Sequence, residues 1–125
     1  ASDIARHFAS NRMEDIITSL AADAGDWART TLATLATKSP QTCKVALRQL
    51  HDSLSCTDFA GNMVMEYRIA SRVLTRPDFA EGVRAVIVDK DNAPRWNPPT
   101  AEGVTDALIE AIFAPLPTNE EWTPL

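Results

Sequence analysis

Ser39-Pro40-Gln41-Thr42-Cys43-Lys44-Val45-Ala46-Leu47-Arg48-Gln49-Leu50 decides how this chain is read. A serine hydroxyl can accept the orphan amides of a helix start, and a proline at the first helical position loses nothing by lacking an N–H. Cys43, Leu47, Leu50 and Leu54 then recur at helical spacing. The stretch predicts a helix, with that stripe as its apolar face and Cys43 as a small core residue.

Similar signals flank it on both sides. Ile4 and Phe8 suggest a short first helix. Asn11, with Glu14 three residues on, fits a capping box ahead of Met13, Ile16, Ile17 and Leu20. Asp26 can cap a third helix carrying Trp27, Leu32 and Leu35. A longer fifth helix, about 57–75, presents Phe59, Met63, Tyr67, Ala70 and Leu74. Gly61 within it costs about 1 kcal/mol relative to alanine. Pro77 opens a segment with Phe79, Val83, Val86 and Ile87 at helical spacing. Val83 to Val88 is also β-branched enough for a strand. A lone strand would leave its backbone groups without partners, so helix is expected. Thr105 caps a last helix through Leu108, Ile109, Ile112 and Phe113, which Pro115 and Pro117 end. The expected fold is all-α, with six or seven helices and no sheet. Six of the eight prolines lie at or after Pro94, which divides a helical body, 1–91, from a proline-punctuated tail, 92–125, with one short helix.

Composition narrows the function classes. The 125 residues are 45% hydrophobic and 23% charged, enough apolar material for one core. A net charge of −5 argues against general nucleic-acid binding, and no apolar run has the length of a membrane span. Cys43 and Cys56 fit no zinc motif and no disulfide framework, which points to a reducing compartment, cytoplasm or mitochondrial matrix. Four scattered glycines make no phosphate cradle. Asp89-Lys90-Asp91-Asn92 begins like a calcium loop but places Pro94 where glycine is needed and Thr100 where a bidentate glutamate is needed. His51-Asp52-Ser53 are neighbours in sequence, and helical neighbours diverge, so they make no triad. Arg68, Arg72, Arg76 and Lys90 could be read as an anion-binding cluster; the three arginines, spaced by four, read instead as a solvated face near a helix C-terminus, with a partner contact as the alternative. Trp96 reads as an anchor for the loop that holds it. No catalytic residue and no metal ligand emerges.

Four stretches carry a resemblance. They are Ser39 to Leu50, Met65-Glu66-Tyr67-Arg68, Asp78-Phe79-Ala80-Glu81-Gly82-Val83-Arg84-Ala85, and Asp89-Lys90-Asp91 with Pro94-Arg95-Trp96. In this order and spacing they resemble the 3-hydroxyisobutyryl-CoA hydrolase branch of the enoyl-CoA hydratase/isomerase (crotonase) superfamily. The resemblance implies the C-terminal helical region of such a protein, with the N-terminal crotonase core absent. It implies a parent enzyme that hydrolyses a short β-hydroxyacyl-CoA thioester in valine breakdown, with no cofactor beyond the coenzyme A of its substrate. The family's oxyanion hole and catalytic carboxylates lie in the absent core, so this chain is expected to be inactive alone. Lys90 falls near the position of a lysine at the adenine end of CoA in related crotonases. Expected partners are the missing core and a second copy of the chain, with neither nucleic acid nor membrane. A related hydratase or isomerase, or a stand-alone helical binding module, are the alternatives. Glycine inside a helix, as at Gly82, marks close approach of another element.

Overall fold

A computed structural model describes residues 2–125. It contains seven α-helices and no strand among them: α1 (Ser2–His7), α2 (Met13–Ala22), α3 (Asp26–Ala36), α4 (Pro40–Ser53), α5 (Phe59–Val73), α6 (Pro77–Val83) and α7 (Asp106–Phe113). A single π-helical turn, Arg84–Val88, extends α6. The β-branched run is therefore helical, and its register widens by one residue there.

Several starts form as the sequence dictates. Ser39 Oγ accepts from the Thr42 amide at 3.1 Å with Pro40 at the first helical position. Thr105 accepts from Leu108 N, and Asp58 caps α5 through Gly61 N. Two expected caps do not form. The residue before α2 is Arg12, in an extended conformation, and Glu14 reaches away to Lys44 instead of back to Asn11. Gly25, not Asp26, precedes α3; Asp26 lies inside the first turn and pairs with Arg29. In both places a carboxylate finds a cation rather than a backbone amide, and charge-assisted bonds are the stronger kind.

Two apolar clusters hold the helices together. Ile16, Leu20 and Ala28 join α2 to α3, with Leu32, Leu35 and Leu47 packed against them. Val45, Ile69, Val104, Ile109 and Ile112 join α4, α5 and α7, with Met65, Val73, Leu108 and Phe113 alongside. Each large aliphatic side chain removed from water here contributes about 1.5–3 kcal/mol. The 92–125 stretch thus supplies core, because α7 covers the line Val45–Met65–Ile69–Val73.

That line corrects the expected faces of α4 and α5. The buried residues of α4 are Gln41 and Val45, and the buried residue of α5 is Ile69. The expected stripe is instead largely bare: Leu50, Leu54, Phe59 and Leu74 are 70%, 86%, 78% and 56% exposed. Cys43 and Leu47 are half-buried. Both helices are apolar on two sides, and α7 lies along only one of them. In α1 and α3 the core likewise takes His7 and Ala28, while Ile4 and Trp27 stay substantially exposed.

The arginine row is not a solvated face. Arg68 makes a fork to Glu121, with Nε–Oε1 at 2.9 Å and Nη2–Oε2 at 2.8 Å. Arg72 donates to the carbonyls of Ile112, Ala114 and Pro115, which end α7. Arg76 donates to the buried Gln41 side chain. Arg68 and Arg72 fasten the end of α7 and the chain after it onto α5, because a guanidinium can satisfy several acceptors at once, while Arg76, just before α6, ties that turn to α4.

Candidate functional site

The most elaborate polar construction lies where α6 passes into the π-helical turn and the loop beyond. Arg84 is its centre. Glu81, one helical turn back, takes the guanidinium in a fork, with Nη2–Oε1 at 2.7 Å and Nε–Oε2 at 2.9 Å. Nη1 donates to Asp89 Oδ2 at 2.8 Å and to Asp91 Oδ2 at 2.7 Å. Glu81 also accepts from Arg95 N at 2.9 Å, which draws the far limb of the loop back to the helix. Lys90, exposed between the two tethered aspartates, and Asn92, just after them, adopt positive φ, 55° and 51°. The aspartates of the abortive calcium pattern are therefore committed to an arginine, and the described residues contain no metal-holding group of three.

A second set of contacts sets the loop's position. Buried Asp78 accepts from Asn97 N at 2.7 Å and from Ser39 Oγ, tying α6, the loop and the start of α4 together. Trp96 donates from Nε1 to Thr37 O at 3.1 Å. A Cβ added at Gly82 would meet its ring at 3.5 Å, an ordinary van der Waals contact, so the indole packs on this turn of α6 without requiring a glycine there. The anchor reading of Trp96 is correct.

Beside Lys90 the turn presents an apolar surface. Phe79, Val86, Ile87 and Val88 are 51–68% exposed. Every buried side-chain polar atom among the described residues has a partner, so the interior is complete while this surface is bare.

The electrostatics of the knot predict its response to acid. The Arg84 fork, then the Arg95 amide, hold the Glu81 carboxyl down at about 2, against an ordinary 4.5. Arg84, and after it the Ala93 amide, lower Asp91 as well. A carboxylate with a depressed folded pKa favours the folded loop above its ordinary pKa, and that contribution fades as pH falls from about 4.5 to about 2. Carbon-detected NMR titration of Glu81 should give a midpoint near 2, and Arg84→Met should return it toward 4.5. A midpoint unmoved by that substitution would refute the fork.

Among the described residues, His51, Asp52 and Ser53 do not assemble into a hydrolytic centre. His51 is exposed, Asp52 accepts from Arg48 at 2.8 Å, and Ser53 bonds Asn62 at 2.9 Å, so the three go separate ways. A Ser–His–Asp line that the sequence reading missed does exist: Ser19 Oγ lies 2.7 Å from His7 Nδ1, and His7 Nε2 lies 3.0 Å from Asp23 Oδ2. The Gly25 amide, followed by His7 and Arg6, lowers the Asp23 carboxyl. Ser19 sits in the middle of α2, where the surrounding amides are engaged in the helix and cannot serve a developing oxyanion. His7 is buried and stacked on Trp27 at 5.9 Å. The line pins α1 to α2 and α3. Spacings of 12 and 16 residues gave no local signal for it.

The family model for enoyl-CoA hydratase/isomerase matches residues 1–113. The chain belongs to the enoyl-CoA hydratase/isomerase family. Among curated relatives, a mitochondrial 3-hydroxyisobutyryl-CoA hydrolase from Dictyostelium discoideum is 38% identical over 120 residues, covering 95% of this chain and 32% of the relative. One of the same description from Gallus gallus is 38% identical over 115 residues, covering 90% and 29%. Among solved structures, a carnitinyl-CoA dehydratase from Mycobacterium thermoresistibile superposes with a TM-score of 0.86 at 32% identity, over 94% of this chain and 33% of that one. An enoyl-CoA hydratase from Rhodobacter sphaeroides superposes with a TM-score of 0.89 at 30% identity, over 98% and 36%. This chain of the enoyl-CoA hydratase/isomerase family spans about a third of the length of these proteins.

With the family established, the four sequence stretches divide cleanly. Ser39, Lys44, Arg48, Arg68, Asp78, Glu81, Gly82, Arg84, Asp89, Asp91 and Trp96 are engaged inside the chain. Leu50, Glu66, Tyr67, Phe79 and Lys90 are exposed. The first group builds the helical scaffold. The second is what the scaffold displays.

Proposed function

We propose that this chain is the helical portion of an acyl-CoA-processing enzyme, packing against and closing a catalytic core that carries the chemistry. The division just described is the observation behind this reading: family-type polar residues hold the helices together, while large apolar side chains stand bare on two faces. Leu50, Leu54, Phe59 and Leu74 form the face expected to pack on the core. Phe79, Val86, Ile87, Val88 and Lys90 form the face expected near the ligand, with Lys90 toward the adenine end of coenzyme A. The reaction favoured by the curated relatives is hydrolysis of 3-hydroxyisobutyryl-CoA in valine breakdown. Thioester hydrolysis needs an oxyanion hole and a positioned base, which the proposal places in the core. The descriptions of the solved neighbours favour hydration or dehydration of a CoA ester as the second reading. A mitochondrial matrix setting accords with the relatives' names and with two free thiols, and no helix is long and apolar enough to cross a membrane among the described residues.

The test joins this chain to a core. In the Dictyostelium hydrolase the matched segment is replaced by these 125 residues. The isolated chain is expected to release no free coenzyme A from 3-hydroxyisobutyryl-CoA above background. The chimera is expected to turn the ester over within about tenfold of the parent, a barrier difference of roughly 1.4 kcal/mol. Turnover by the isolated chain, or a folded chimera without activity, would defeat the proposal.

A further inference from the structure

A groove of about 190 Å³ opens on the side where α2, α3 and the start of α4 meet the loop at Trp96. Its lining includes the half-buried Ile17, Leu32, Leu35, Cys43 and Trp96, with one cation, Lys38. An apolar cavity of about 150 Å³ is large enough to take up benzene, so this one has room for about six carbons. It is too small for a drug-sized ligand, which needs about 300 Å³ or more. The indole is fixed by its bond to Thr37 O, the residue before Lys38, so wall and charge are held side by side. Among other cations, Lys44 pairs with Glu14 and Arg76 with Gln41, while Arg95, next to Trp96, engages Glu81 through its backbone amide and does not line the groove. Lys38 makes no side-chain hydrogen bond or ion pair among the described residues, and only its backbone amide is engaged, with Leu35 O. Lys38 and Cys43 both line the groove; burial raises the Cys43 thiol pKa, and the Lys38 charge acts on it in the opposite sense.

From the unpaired Lys38 ammonium beside this small apolar groove, we infer a binding site for a short aliphatic carboxylate of about four to six carbons. The chain of the acid lies against Leu32, Leu35 and the Trp96 ring, and its carboxylate meets Lys38. The complementarity is one of charge and size: a neutral chain leaves the ammonium unpaired, and acetate leaves the groove empty. The site shares none of the residues assigned to the ligand-facing surface at Phe79–Lys90, so it stands or falls apart from the proposed function.

Amide correlation spectra of the chain, titrated with hexanoate, hexan-1-ol and acetate, test the inference. Hexanoate should give saturable shifts at Leu32, Leu35, Lys38, Cys43 and the Trp96 indole N–H, in the millimolar range, and acetate should give none. Lys38→Met keeps the aliphatic stem and removes the charge at an exposed position, so the fold is retained. It should weaken hexanoate about threefold to fivefold, as expected for an exposed ion pair, and leave hexan-1-ol unchanged. Absence of saturable shifts up to about 20 mM hexanoate would overturn the site. Equal affinity of hexanoate and hexan-1-ol for both proteins would overturn its selectivity for an anion.

Discussion

Replacing Asp78 by alanine is expected to lower the thermal midpoint by about 12 °C. Asp78 is 4% exposed, and so is Ser39, its partner. Its carboxylate accepts from Ser39 Oγ and from the Asn97 amide. Alanine leaves a backbone amide of the loop unmatched and removes the group that orients the Ser39 hydroxyl over the first turn of α4. Hydrogen bonds to a charged group contribute about 1.5–3 kcal/mol, and a buried unmatched donor adds its own cost. A net loss of about 3 kcal/mol follows, at roughly 4 °C for each kcal/mol in a chain of this size. Asp78→Asn retains one acceptor and should cost about a third as much. Scanning calorimetry on the three proteins decides the matter, and a fall of less than about 4 °C for the alanine variant would show that Asp78 is not the tie between α4, α6 and the loop.

The second large effect concerns association. Leu54 and Phe59 flank the turn between α4 and α5 and are 86% and 78% exposed, with Leu50 alongside at 70%. Apolar area of this extent is expected to make the isolated chain self-associate, most simply as a twofold dimer in which each patch meets its copy. Full burial of either side chain contributes about 1.5–3 kcal/mol. The double variant Leu54→Asp, Phe59→Asp is therefore expected to weaken a dimer at least about a hundredfold without altering the helical circular dichroism. In the chimera, where the proposal sets the core on the same face, the pair should also abolish turnover. Sedimentation velocity over a concentration series gives the first readout. A parent chain that stays monomeric at the highest concentration, or a double variant that associates as strongly as the parent, would remove the ridge as a docking face.

How much of this was legible in the sequence varies with the range of the interaction. Helix positions were legible because their signals are local: a hydroxyl ahead of a proline at Ser39-Pro40, Thr105 ahead of an apolar repeat, and Pro77 opening α6. The family was legible too, through four stretches in register, and so was the anchoring of Trp96. Both missed caps failed on competition: Lys44, 30 residues away, took the Glu14 carboxylate, and Arg29, three residues on, took that of Asp26.

The sequence by itself determined that six or seven stretches would be helical, because capping and 3.6-residue periodicity act within a few residues. Only the tertiary structure decided which sides of α4 and α5 face inward. Both carry enough leucine, valine, methionine or aromatic carbon to serve, and periodicity cannot choose between two apolar faces. The choice fell to α7, which reaches Val45 and Ile69 from some 40 or more residues downstream. The same distance governed the arginines. Arg68, Arg72 and Arg76 are spaced like a solvated row, yet the groups they hold at Glu121, at the end of α7 and at Gln41 lie 53, about 40 and 35 residues away. A guanidinium follows whichever carboxylate or carbonyl packing brings within 3 Å, and only the folded chain states which one that is.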